Sequence, residues 1–188
     1  MIGKQQTKIT SGILVPNISR NVSEAIILFF VGALAMFIHA RFRWGASLPG
    51  HHGLEFMAIL MASRVNVRIR WSSVFITLGI GAMIALPFMG FKNPITALGY
   101  LFPVLLLDAL YSNLPDKWRK VWLLAIIGGI AYMAVPLYRI LLMAVGFPYP
   151  VVMKYGSIIA PLAGFFSFGL LGSGFALGLF KAIKGRRN

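Results

Sequence analysis

Few residues in this chain can do chemistry, and several of them sit close together. Of 188 residues, four are acidic, three are histidine and none is cysteine. Without cysteine there is no thiolate nucleophile, no thiolate-bound zinc and no c-type haem attachment. The run Pro49-Gly50-His51-His52-Gly53-Leu54-Glu55 places two histidines and an acid beside a chain break. A helix opening there would aim free N–H groups and a positive dipole end outward. Arg43 and Trp44 lie just upstream. These types suit a ligand with an anionic group and an aromatic or heterocyclic part for Trp44 to stack on. The competing reading is an interfacial belt of aromatic and basic anchors. No metal is expected, because adjacent histidines point to different helix faces whereas zinc helices space them by four.

Two charge pairings follow from helical rise. Arg139 lies nine residues before Pro148, about 13 Å from that end, and Glu55 lies two residues past Gly53, so the two could meet in one half of a bundle. Asp108 lies about 21 Å beyond Pro94, near the level of Arg64, and these two are expected to form a structural ion pair. Ionisable groups at membrane depth are costly and default to functional candidates. Pro136, three residues before Arg139, removes the helical donor to the Tyr132 carbonyl and favours a kink, which beside a buried charge opens a cavity. The expected substrate-binding set is therefore Arg139, Glu55, His51, His52, Trp44 and Arg43, with Tyr100 added. No catalytic residue and no cofactor are expected: there is no Gly-x-Ser-x-Gly, His-Glu-x-x-His or P-loop, and too few acids for metal-dependent phosphoryl chemistry. An enzymatic alternative would use His51 or His52 as a base acting on lipid.

The elements that must position these residues are apolar. The chain is 59% hydrophobic and 12% charged, against about 25% charged in soluble domains. Six apolar runs stand out: 23–40, 53–63, 74–91, 94–114, 121–147 and 156–183. They predict an all-α integral membrane protein, a compact bundle of six transmembrane helices over residues 23–183. Basic cytoplasmic tails flank it at 1–22 and 184–188. Ala33-Leu34-Ala35 resembles a signal-peptide cleavage site, but apolar sequence continues past it, favouring an uncleaved helix. The second run alone covers roughly 16 Å, so it either re-enters the membrane or spans by recruiting its flanks. Charge decides between these. With six spans, thirteen Lys and Arg fall on the side of the termini and four on the other, with Arg139 inside a helix. The positive-inside rule then places both termini in the cytoplasm of a multi-pass protein, most simply in a prokaryotic inner membrane. The net charge of +14 is thus read as topology and contact with anionic lipid, not as nucleic-acid binding.

Helices in lipid associate through small residues. The third run offers Ser73, Thr77, Gly81 and Ala85 as one ridge, and the sixth offers Gly169/Ser173, Gly172/Ala176 and Gly174/Gly178. They serve either packing within the bundle or a partner membrane subunit.

The six-span plan, the length, the second run GLEFMAILMASR and the fourth run NPITALGYLFPVLLLDAL resemble the substrate-binding S components of energy-coupling-factor transporters, the biotin type most of all. In the fourth run Pro94, Thr96, Gly99, Tyr100 and Leu101 are similar to that family's Pro-Thr-Gly-Gly-Tyr-Leu, at altered spacing. The Ala-x-x-x-Ala pattern common in the family's first helix is missing here. The resemblance implies capture of a vitamin-like small molecule from outside, with other membrane subunits and an ATPase as partners. The alternative is a structural or assembly subunit of a membrane complex without its own ligand.

Overall fold

The computed structural model describes residues 16–41, 48–67, 69, 71–91, 93–148 and 150–185. All regular elements among them are helical: α1 (Pro16–Arg41), α2 (Gly53–Asn66), α3 (Ser72–Ala85), α4 (Pro94–Asn113), α5 (Val121–Ala144), a short α6 (Pro150–Tyr155) and α7 (Ile159–Gly185). α1 starts inside the segment read as a tail, and an Arg20–Glu24 pair (3.2 Å) one turn apart supports that added helix. The tail residues 1–15 and 186–188 lie outside the described residues. α4 opens as its sequence dictates. Asn93 caps it by accepting from the N–H groups of Ile95 (3.0 Å) and Thr96 (3.4 Å), and Pro94 fills the first position, where no donor is needed. The helix then tightens through a 3-10 turn at Leu98–Tyr100. α5 is interrupted at Met133, directly after Tyr132, whose carbonyl Pro136 deprives of its usual donor.

α1, α4, α5 and α7 are long and apolar enough to cross a membrane. α3 is a shorter apolar helix, and α2, with 14 residues, is about 21 Å long. The six longer helices close into a ring in the order α1, α3, α4, α5, α7, α2 and back to α1. α2 packs deepest. Its Phe56, Met57, Leu60 and Met61 are almost fully enclosed, alongside Tyr132 of α5 and Met36 of α1. The ring's outer face is apolar too, with Phe30, Leu141 and Phe175 each more than 60% exposed. Water would not tolerate so continuous an apolar surface.

Small residues set the closest crossings. A Cβ on Gly32 would strike the Ile76 carbonyl and one on Gly79 the Phe29 carbonyl, so α1 and α3 meet backbone to backbone. Gly172 of α7 lies against the Gly53 and Leu54 carbonyls, and Ser173 against Gly128 of α5. The α7 pairs Gly169/Ser173 and Gly172/Ala176 thus face inward. Beyond Ser73, the ridge expected on α3 is not the contact face: Gly81 borders open space, Ala85 is exposed, and α3 instead buries Ile76, Gly79, Ile80 and Ile84, while on α7 Gly178 also borders open space. A helix that is apolar all round has no polar side to reveal which face turns inward.

Candidate functional site

Antiparallel neighbours in the ring bring the end of α1, the start of α2, the start of α4 and the end of α5 to one end of the bundle. The chain's three histidines meet there. The His39 ring lies 4.9 Å from His52 and 4.2 Å from Tyr100, and the His51 ring lies 4.0 Å from His52. Phe56 closes the cluster from below, 5.8 Å from His39 and 5.6 Å from Tyr100. Across from the histidines, Arg139 Nη2 donates to the Tyr100 hydroxyl (3.1 Å), with its guanidinium 5.4 Å from the Tyr100 ring centre.

Two cavities adjoin this pair. The larger, about 480 Å³, is lined by His39, Asn93, Thr96, Tyr100, Arg139 and Phe147, among others. The smaller, about 300 Å³, is lined by His51, His52, Tyr132, Lys154 and Phe165, and again by Tyr100 and Arg139. The Arg139–Tyr100 pair therefore forms the wall common to both. Tyr132 and Phe165, stacked at 4.9 Å, make a rigid aromatic surface for the smaller one.

Hydrogen bonds define what the histidines can offer. His51 Nδ1 faces the Leu48 carbonyl (2.6 Å) and His52 Nδ1 faces Glu55 Oε1 (3.0 Å). Both partners only accept, so each ring carries a proton on Nδ1, and a neutral ring then presents Nε2 as an acceptor. His51 Nε2 and His39 Nδ1 are buried without a hydrogen-bond partner among the described residues. Buried polar atoms are nearly always satisfied. Two such atoms beside cavities, next to a guanidinium, make a surface suited to an anionic group together with a polar planar body.

Several sequence expectations resolve differently. Three of the first four N–H groups of α2 are not free to meet a ligand: those of Gly53, Leu54 and Phe56 bond to the carbonyls of Gly50, His51 and His52. The turn before α2 occupies most of the donors an anion would have used. Glu55 and Arg139 take separate partners, His52 and Tyr100. Arg43 and Trp44 lie outside the described residues. His39 was outside the expected set, yet it is about nine-tenths buried and lines the larger cavity. Its signal was present: all three histidines fall within fourteen positions, on the two flanks of one loop.

Arg64 and Asp108 sit at the opposite end of the bundle. Arg64 Nε is 2.5 Å from Asp108 Oδ1, and both side chains are more than nine-tenths buried. The Ser73 backbone N–H donates to Asp108 Oδ2 (3.2 Å) and Arg64 Nη2 to the Ser112 hydroxyl (2.8 Å), which ties α2, α3 and α4 together. Among the described residues, no group of three histidine or acidic side chains could hold a metal. Comparison with family models, with characterised proteins and with solved structures finds no match to this chain.

Proposed function

We propose that this chain is a six-span membrane protein with both termini in the cytoplasm, that it captures a small organic anion from the outer side, and that it serves as the substrate-binding subunit of a larger ATP-driven transporter. The single observation carrying the capture step is the pair of cavities sharing Arg139 and Tyr100, with His39, His51 and His52 on their walls. Their volumes fall in the range of small-molecule sites, about 300–1,000 Å³. Arg139 supplies a fork for a carboxylate or phosphate. His51 Nε2 accepts from an N–H or O–H on the solute, and the Tyr132–Phe165 stack suits a planar ring. A vitamin-like heterocyclic acid has these parts. The resemblance to S components in the fourth helix supports the same reading, since Tyr100 lies both in that motif and between the cavities.

The deciding experiment is native mass spectrometry of the detergent-purified chain. A retained small organic molecule that disappears in Arg139→Ala, with the variant still folded, is the expected result. A solute held equally by Arg139→Ala removes Arg139 from the site. The second reading, an assembly subunit without a ligand, is favoured by an open apolar groove of about 660 Å³ along α1, where Val22, Ile26, Phe29 and Phe30 face Phe75 of α3. Tight copurification with a membrane partner and no retained solute would select it.

A further inference from the structure

The end of the bundle opposite the histidines holds a cavity of about 470 Å³ where α2, α4, α5 and α7 meet. Its rim carries Arg119, Lys181 and Lys184, and its wall includes Leu177 and Phe180 of α7 and the Tyr111 ring. Lys181 and Lys184 stand one turn apart on α7, so their ammonium groups share a face with Leu177 and Phe180 below them. Arg119 lies over the Tyr111 ring (4.6 Å), which fixes its guanidinium at the edge of the cavity. Its partner Asp116 Oδ1 (2.6 Å) is almost wholly exposed and leaves most of the rim's positive charge uncompensated. Arg64, on the same tyrosine ring (4.4 Å), is already engaged by Asp108.

We infer that this cavity is a binding site for an anionic phospholipid. Three cations at the rim match the phosphate-bearing headgroup, and the apolar wall beneath matches the start of its acyl chains. Basic pockets between helices at the cytoplasmic surface recognise such headgroups. A free phosphate ion would satisfy the rim but has nothing to place against Leu177 and Phe180. The inference is independent of what the histidine-end cavities hold and requires only that the chain sits in a bilayer.

The test is native mass spectrometry of the full chain in detergent, titrated separately with phosphatidylglycerol, phosphatidylcholine and inorganic phosphate. Phosphatidylglycerol is expected to bind more tightly than phosphatidylcholine. Lys181→Ala/Lys184→Ala should weaken it about 25-fold, a factor of about five for each lysine near an anionic surface. The charge-matched Arg20→Ala/Arg41→Ala, at exposed positions that do not line the cavity, should leave it unchanged within about twofold. Equal retention of the two lipids, equal loss in both double variants, or displacement of phosphatidylglycerol by millimolar inorganic phosphate would each overturn the inference. Unchanged thermal unfolding of Lys181→Ala/Lys184→Ala separates lost binding from lost folding.

Discussion

At the scale of single residues, His39 is the sharpest probe of the site. Its ring is held by Tyr100, His52 and Phe56, while its Nδ1 has no hydrogen-bond partner among the described residues. Packing and recognition can therefore be separated. His39→Phe keeps an aromatic ring in the stack and deletes the polar atom, so thermal unfolding should change by less than about 1.5 kcal/mol. Retention of the solute should fall by roughly tenfold or more, the usual consequence of removing a hydrogen bond made in a buried site. Solute retention equal to wild type would mean that His39 is only a packing residue. Arg139 answers a different question. Arg139→Lys keeps the charge but loses the planar fork, and at a bidentate site that exchange is not conservative. Solute affinity is expected to drop in Arg139→Lys by a factor of about ten, and further in Arg139→Ala, as read by titration calorimetry once the retained molecule is identified. Most of this constellation was legible in the sequence because the chain has only three histidines and because Arg139 interrupts an otherwise apolar run. His39 was missed because it sits inside an apolar helix, two residues before its end.

At the scale of helices, two contacts govern whether the ring closes. The α1–α3 crossing depends on Gly32 and Gly79, each facing the other helix's backbone. Gly79→Val must push the helices apart, since backbone cannot rotate away as a side chain can. A loss of about 1–3 kcal/mol is expected, the ordinary cost of overpacking, measured as a lowered unfolding temperature in detergent. Gly81→Val on the same helix borders open space and should be close to neutral. The Arg64–Asp108 pair is the second contact. Asp108→Ala leaves a buried guanidinium without its carboxylate, a change that costs about 3–5 kcal/mol. Arg64→Leu/Asp108→Leu removes both charges and should recover much of that loss; if the double variant is no more stable than Asp108→Ala, the pair is not the source of the effect. The levels of Arg64 and Asp108 along their helices followed from helical rise alone. The inner face of α3 did not, because spacing of small residues is uninformative where every position is small or apolar. The start of α2 misled for a local reason: a turn whose carbonyls satisfy most of the first N–H groups cannot be read from Pro-Gly-His-His.

At the scale of the whole molecule, the two ends differ in chemistry, and that difference makes topology decisive. One end gathers the histidines, Tyr100 and Arg139 around two cavities, and the other carries Arg119, Lys181 and Lys184. Six apolar runs and the lopsided charge were plain in the sequence. What hydropathy could not settle was the fate of α2 and α3, each 14 residues long and short for a bilayer. In the proposed six-span topology, the ring is what would let α2 cross despite its length. α2 is packed inside neighbouring helices, so most of its surface meets protein rather than lipid and need not match the hydrocarbon thickness. Because the chain has no cysteine, single cysteines report topology cleanly. Leu48→Cys and Phe88→Cys, at exposed positions of the histidine end, should react with a membrane-impermeant maleimide on intact cells. Trp71→Cys and Lys117→Cys, at the opposite end, should react only after the membrane is opened. Trp71 is the critical position, since it lies between α2 and α3. Labelling of Trp71→Cys from outside, with Leu48→Cys reacting only after the membrane is opened, would invert the bundle, move most of the basic residues outward, and place the histidine cavities where no external solute could reach them.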